Sequence, residues 1–335
     1  MRESRESQKP FRVISIRAVF YAAIMLAAMS LSSACAGSPS GEGTESTNGA
    51  ETTMASGGSD GAGYPVEITD SLGREITIDS EPENIASMAP SVTETLFEVG
   101  AGEKVVGVTT ADAYPEEVAD IAKIGDFQQV NIERLLELDT DLLFHSYDST
   151  TRDVAEDLEE QTNADVVVVN PQTLDEVVAS MELVGSAAGE PEAGRELEEE
   201  LRSDLEEISA AVEGEPEPTV FYEVFNDPLQ TVGPGSFVHD GLEVAGAENI
   251  AADTNEGYPT YSAETVIERD PEYYLIGESV GITPEDVAER PGYSSLTAVE
   301  ENNVVAVDDA SLSRPGPRIT EAIREIAEEM HPEAF

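Results

Sequence analysis

Asn131-Ile-Glu-Arg-Leu-Leu-Glu-Leu-Asp-Thr-Asp-Leu-Leu-Phe144 returns later in the chain as Ser262-Ala-Glu-Thr-Val-Ile-Glu-Arg-Asp-Pro-Glu-Tyr-Tyr-Leu275. Glu133 aligns with Glu264, Glu137 with Glu268 and Asp139 with Asp270. A second echo precedes each copy: Phe97-Glu-Val-Gly-Ala-Gly-Glu-Lys-Val105 resembles Leu242-Glu-Val-Ala-Gly-Ala-Glu-Asn-Ile250. The order is the same in both halves, so the chain is expected to hold two lobes of like design. Two like lobes make a cleft, and small ligands bind in clefts between lobes.

Around the first copy, strand and helix signals alternate. Val66–Ile78 alternates apolar and polar residues about a Ser-Leu-Gly turn, which reads as a β-hairpin. Ile85–Ala89 reads as a short strand stopped by Pro90. Ser91 with Glu94 three residues on reads as a capping box for a helix ending at Gly100. Val105–Val108, Leu142–Phe144 and the wholly apolar Val166–Val169 read as strands, the last as a buried parallel one. Helices are expected from Asn131 to Leu138 and near Thr151–Thr162. The second half repeats the pattern, with strands at Val220–Val224, Tyr273–Ile276 and Val304–Val307. Helices are expected at Ser236–Ala245, Ser262–Arg269 and Arg318–Met330. The fold class is therefore α/β: two Rossmann-like lobes with mainly parallel sheets and a ligand cleft between them.

Between the lobes the pattern turns helical. Leu197, Leu201, Leu205 and Ile208 form one apolar stripe, while Gly185, Gly189 and Gly194 interrupt the region early. One helix should end near Gly185 and a longer one follow, up to the Glu213–Pro218 boundary. The expected division is an N-terminal lobe at 64–183, a single long linking helix at 184–215 and a C-terminal lobe at 216–335. A helix resists bending, so such a cleft should move less than one with a multi-strand hinge.

The N-terminus reads as a targeting segment. Arg2, Arg5, Lys9, Arg12 and Arg17 precede an apolar run, Ala18–Leu31, that is short for a membrane span and suits a signal peptide over 1–34. The only cysteine, Cys35, follows directly. A processed, lipidated Cys35 explains a lone thiol on an exported chain better than a free one does. Ser32 stands where such signals usually have Leu. Residues 35–63, rich in Gly, Ser, Thr and Glu, read as a disordered tether.

The net charge of −53 comes from 70 acidic against 17 basic residues. It argues against nucleic acid and anionic lipid headgroups as partners, leaving the lipid anchor as the membrane contact. Lys9, Lys104 and Lys123 are the only lysines, and an acidic, Lys-poor surface suits high salt, where screening removes self-repulsion. A monomer is expected.

Several stretches together resemble the solute-binding proteins of the vitamin B12, haem and ferric-siderophore ABC importers. They are ITDSLGREITI at 68–78, IASMAPSVTETLFEVGAGEKVVGVT at 85–109, YPEE at 114–117, VNIERLLELDTDLL at 130–143, TVGPGSFVHDGLEVAGAENIAAD at 231–253, YPTYSAETVIERDPEYYLI at 258–276 and SRPGPRI at 313–319. The segments at 220–276 look most similar to the cobalamin-binding branch. The resemblance implies a cleft ligand, a corrinoid, delivered to a membrane permease whose ATPase subunits drive import, with no cofactor and no turnover. It also implies that one surface glutamate per lobe docks onto the permease; the matching positions are Glu133 and Glu264. The plainer reading is that each sits in a first helical turn and offsets the helix dipole.

By the same resemblance Phe127 matches an aromatic that stacks on the corrin, Tyr258 stands where relatives often have Trp, and Arg314 matches a family arginine. Arg318 belongs to the Pro-Arg that opens the last helix. Tyr147 and Phe225 follow strands and are placed to face the cleft, and Asn226 offers a polar contact to the ring edge. Phe127 and Phe225 as core, and Arg314 as a surface partner for one of the many acids, stay open as alternatives. The chain departs from the cobalamin pattern in having no Trp, and Ala111 where a cleft tyrosine often precedes Tyr114-Pro115. A ferric siderophore or haem therefore remains an alternative cargo, and an extracellular sensor an alternative use of the scaffold.

Enzymatic chemistry finds no support. His145, His239 and His331 have no metal-ligand spacing, though His145 at a strand end keeps haem in play. Ser236, His239 and Asp240 share one helix start, where Ser236 reads as an N-cap. There is no G-x-S-x-G elbow and no phosphate loop.

Overall fold

The computed structural model describes residues 63–126, 129–146 and 150–335. The expected signal peptide, Cys35 and the tether lie outside them, as do Phe127 and Tyr147. No helix among the described residues is long and apolar enough to cross a membrane.

In the first half, a hairpin of β1 (Val66–Thr69) and β2 (Glu75–Ile78) precedes β3 (Ile85–Ser87), α1 (Pro90–Glu98), β4 (Val105–Val108) and β5 (Ala122–Lys123). Then come α2 (Ile132–Glu137), β6 (Leu142–His145), α3 (Arg152–Thr162) and β7 (Asp165–Val168). Two helices follow, α4 (Leu174–Ala188) and α5 (Pro191–Ala211). The second half runs β8 (Thr219–Glu223), β9 (Phe225–Asn226), β10 (Leu229–Gln230), α6 (Phe237–Val244), β11 (Glu248–Asn249), α7 (Ala263–Arg269) and β12 (Tyr273–Gly277). It closes with α8 (Pro284–Ala288), α9 (Thr297–Glu300), β13 (Val304–Val307), α10 (Asp309–Leu312) and α11 (Ile319–Met330).

Both main sheets are parallel throughout, in the orders β5-β4-β3-β6-β7 and β11-β8-β12-β13. Without the edge strand β5 the two orders are the same, with the first strand of each lobe between its second and third. The crevice where strand order reverses therefore opens beside β3 and β6 in one lobe and beside β8 and β12 in the other, which is where parallel sheets bind ligands.

The sequence echoes are structural equivalents. Asn131 and Ser262 are both N-caps, accepting from the amides of Arg134 at 3.0 Å and Thr265 at 3.0 Å. Asp139 and Asp270 both take the left-handed conformation that ends the repeat's helix, with φ of 50° and 45°. Two residues on, Asp141 accepts the amides of Glu83 and Asn84 before β3, and Glu272 accepts that of Thr219 at β8. Each repeat so pins its third strand to its first.

The earlier echo aligns one residue off. In both lobes the helix ends in a glycine with positive φ, Gly100 and Gly246. The next amide reaches back five residues, from Ala101 to Leu96 and from Ala247 to Leu242. This is the Schellman stop, which favours glycine, so Gly100 corresponds to Gly246 and not to Ala245.

Two expectations about α1 and α4 need correction. The helix α1 starts at Pro90 with Ala89 as N-cap and no side-chain cap. Proline suits the first helical position, and the Glu94 carboxylate is drawn to Arg318 of the other lobe instead of its own helix start. Gly185 does not end α4, which runs on to Ala188 and stops at Gly189, φ 90°. Gly185 and Gly194 are where α4 and α5 touch: a Cβ on Gly185 would lie 2.6 Å from the Gly194 Cα. Gly185→Ala should therefore cost about 1–3 kcal/mol by overpacking, read by urea unfolding; unchanged stability would contradict the close approach.

The α4–α5 pair, two helices parted at Gly189 and Glu190 and not the single helix expected over 184–215, carries the chain between the sheets. The α4 start already touches the second lobe, where the Leu174 amide donates to Asp240 of α6 at 2.9 Å. The turn between the helices is held to the first lobe, where Lys104 Nζ donates to the Ala188 carbonyl at 2.9 Å and to Glu81 at 2.8 Å. Leu197, Leu201 and Ile208 of α5 are buried in one apolar core that also holds β3, α1, β8, α6 and α11 residues. Apolar burial is thus continuous across the junction, which makes a stiff connection.

Candidate functional site

A cavity of about 350 Å³ lies between the lobes. The first lobe contributes Ala89, Pro90 and Ser91 after β3, Ser146 after β6, and Asn170, Pro171 and Gln172 after β7. The second contributes Ser236 and Phe237 at the start of α6, Tyr258, and Ser313, Arg314 and Pro315 before α11. All the first-lobe residues follow the carboxyl ends of strands, the position that the reversal of strand order opens to ligands.

None of the described residues lining this cavity is acidic, although the chain has 70 acidic residues among 335. Its one charged residue is Arg314. The first turns of α1 and α6 also form part of the wall; Pro90 has no N–H to offer, but the Ser91 amide of α1 and the Phe237 amide of α6 have no partner within the helix. The wall is thus poor in negative charge, contains two aromatics, the buried Phe237 and the half-exposed Tyr258, and offers several hydroxyl and amide groups. It suits a ligand that presents acceptors.

Several of these side chains are held from behind. The Ser236 hydroxyl donates to the Gly233 carbonyl at 3.0 Å and accepts from the His239 amide at 3.2 Å. Ser313 shares a 3.3 Å hydrogen bond with the buried Tyr222 hydroxyl, whose pKa burial pushes well above the ordinary phenol value, so it stays protonated. Tyr258 itself is 47 % exposed, a ring left open to solvent.

Of the residues singled out from sequence, Tyr258 and Arg314 line the cavity. Arg318 stands behind it. Its Nε and Nη2 donate to the two Glu94 oxygens at 2.8 and 3.0 Å, and its guanidinium lies 4.5 Å from the Tyr114 ring centre. Asn226 is engaged elsewhere, its side-chain oxygen accepting from Arg290 Nη2 at 2.9 Å. Phe225 projects from the β9–β10 hairpin, 51 % exposed, and is not among the lining residues. Ser91, Ser146, Asn170, Gln172, Phe237 and Ser313 line the cavity without having been singled out. Their only sequence signal is position, just past a strand or at a helix start.

The histidines lie apart. His145, at the end of β6, shares a 3.0 Å hydrogen bond with Thr150 Oγ1, and burial lowers its pKa, so the ring is neutral at pH 7. His239 Nδ1 faces the Asn249 amide nitrogen at 3.0 Å. No group of three or more His, Cys, Asp or Glu among the described residues could hold a metal ion.

The docking candidates occupy matching places. Glu133 and Glu264 are each the second residue of their helix, each exposed, and neither carboxylate has an ion-pair or hydrogen-bond partner among the described residues. Arg134, next to Glu133, and Arg269, at the far end of α7 from Glu264, are already paired, with Glu137 and Asp253.

Residues 85–310 match the model of the periplasmic binding protein family. The chain belongs to that family. It is 34 % identical over 279 residues to the uncharacterized ABC transporter substrate-binding lipoprotein YvrC of Bacillus subtilis, covering 81 % of this chain and 87 % of that one. It is 30 % identical to a cobalamin-binding protein of Halobacterium salinarum, covering 80 % of this chain and 74 % of that one. Among solved structures it is similar to the periplasmic vitamin B12 binding protein BtuF of Vibrio cholerae, with TM-score 0.64 and 25 % identity over 75 % of this chain and 97 % of that one. As a periplasmic binding protein it acts outside the cytoplasm, captures a ligand without turning it over, and uses no cofactor.

Proposed function

We propose that this protein is the cargo-capturing lipoprotein of an ABC importer and that its cargo is a corrinoid. The observation that carries the reading is the acid-free cleft wall with Tyr258 and Arg314 on one side and the serine and amide groups of the first lobe on the other. A corrin is a broad, largely apolar ring edged with amides, and in the cobalamins it carries one phosphate. An aromatic face, neutral hydrogen-bonding groups and a single guanidinium match those three features. Relatives named for cobalamin and vitamin B12 support the same choice. Phe127, Tyr147, Phe225 and Asn226 are proposed as further contacts to the cargo, with Arg318 supporting the wall from behind.

In this reading residues 1–34 direct export and Cys35 carries the lipid. Residues 35–63 act as a tether, and the protein works as a monomer in high salt. Lobes at 64–183 and 216–335 are joined by the helical segment at 184–215. Glu133 and Glu264 dock onto the permease, and the ATPase subunits drive transfer.

Calorimetric titration in molar salt with cyanocobalamin, haemin and a ferric hydroxamate tests the cargo. Saturable one-to-one binding is expected to be tightest for the corrinoid, with haemin and the iron chelate at least about tenfold weaker. Binding of haemin or the iron chelate alone would move the protein to another cargo class. Tyr258→Ala and Arg314→Ala are each expected to weaken corrinoid binding about tenfold or more with folding intact, since each removes a desolvated contact of about 1.5–3 kcal/mol. Affinity unchanged in both would reject this wall of the cleft as the site.

A further inference from the structure

The Glu94 carboxylate, 3 % exposed, belongs to α1 of the first lobe, yet its strongest partners come from the second. Arg318 grips it with two hydrogen bonds, and Arg314 Nη1 lies 4.0 Å from Glu94 Oε1. Arg318 is fixed further by its Nη1, which donates to Ser311 Oγ at 2.7 Å and lies 3.9 Å from Asp308, and by Tyr114 beneath its guanidinium. Asp308 is 46 % exposed and its carboxylate already accepts from the Ala310 amide and the Ser311 hydroxyl. One buried carboxylate thus faces two guanidinium groups, and only Arg314 of the two also lines the cleft cavity.

We infer that Glu94 is a specificity-determining positioning residue, which fixes how much positive charge the cleft wall presents to cargo by committing itself to Arg318 and leaving Arg314 largely uncompensated. A bidentate carboxylate–guanidinium pair is short and directional, so the Glu94 charge is aimed at Arg318. Arg314 Nη1, a full 4.0 Å from that carboxylate, is too far for a hydrogen bond to it and keeps its donors for the cavity. Without Arg318, Glu94 would remain a buried, unpaired charge, and Arg314 is the cation within reach. Without the Glu94 charge, both guanidiniums would act on the cleft. The inference rests on cargo binding in the cleft as proposed above.

The test reads charge selectivity, which a merely structural role would not move in two directions. Haemin carries two propionates, whereas dicyanocobinamide carries amides and no net charge. Both are titrated into the full-length protein and into Glu94→Gln and Arg318→Gln, at fixed salt. E94Q is expected to shift the affinity ratio toward haemin by about threefold or more, and R318Q to shift it away by a similar factor, as one charge is added or removed at a partly screened site. Equal loss of both probes, or shifts of the same sign, would overturn the assignment. A cargo-free measurement separates this from failure of the cargo reading. Phenylglyoxal labelling, mapped by peptide mass at Arg314 and Arg318, should accelerate at both in E94Q, and unchanged labelling would overturn the assignment even if neither probe binds.

Discussion

Replacing Glu133 and Glu264 together by alanine is expected to abolish import while leaving cargo affinity unchanged. The two carboxylates occupy the same helical position in two copies of one motif, and both stand exposed without partners among the described residues. An unpaired carboxylate in such an acidic chain contributes little to its own fold, since a surface charge at a helix start is a minor stabiliser. It is available to a cationic partner, where complementary charge sets register and rate of encounter. Each single substitution should slow uptake by roughly tenfold or more, because each lobe would lose its anchor. The measurement is cargo uptake by vesicles holding the permease and ATPase, beside a titration of the free protein. Uptake unimpaired in the double variant would reject the docking role, and weakened cargo binding would show that the residues act on the cleft.

The largest effect on stability should come from Arg290→Ala. Glu223, at the end of the central strand β8, is wholly buried. Its carboxylate accepts from Arg290 Nη1 at 2.7 Å and Nη2 at 2.8 Å, and from the Tyr274 hydroxyl at 2.6 Å. Around it Phe221, Tyr261, Tyr274 and Tyr293 stack at tilted angles with ring centres 5.1–6.0 Å apart. Truncating Arg290 leaves a carboxylate in this apolar setting with one phenol for a partner, which costs about 3–5 kcal/mol. It also frees Asn226 and so loosens the β9–β10 hairpin. Urea unfolding reads the loss, a large share of the roughly 5–15 kcal/mol that holds a domain together. Glu223→Gln in the same chain should recover part of it, because the buried charge is gone. A loss below about 1 kcal/mol for Arg290→Ala would show that water reaches the carboxylate.

The contrast between these two sites shows what a sequence of this kind can disclose. Glu133 and Glu264 announce themselves because a duplicated motif repeats its local chemistry: the cap, the left-handed aspartate and the strand anchor recur at fixed spacing. Glu223 and Arg290 gave no signal, since neither belongs to a periodic pattern and their pairing is made by the sheet. The same holds for Glu94. Its spacing from Ser91 mimics a capping box, but Pro90 starts the helix and Arg318, 224 residues away, takes the carboxylate. The parallel sheets were readable because buried parallel strands are continuous apolar runs. The two-residue strands β5, β9, β10 and β11 are too short to carry a pattern. Glycine misled at Gly185, where a helix crossing needs a missing Cβ, and gave the right kind of stop at Gly100. Within the cleft, Tyr258 and Arg314 stood out by resemblance, whereas the serines and amides of the wall belong to the commonest loop chemistry.

Cobalt gives the most direct test of the cleft as a corrinoid site. An anomalous difference map from crystals grown with cyanocobalamin, collected at the cobalt edge, locates the ring centre without reference to any side chain. A single strong peak between the lobes, with the ring against Tyr258 and the Arg314 guanidinium within reach of its edge, is the expected result. A peak outside the cleft, or a fully loaded protein with no ordered cobalt between the lobes, would contradict it.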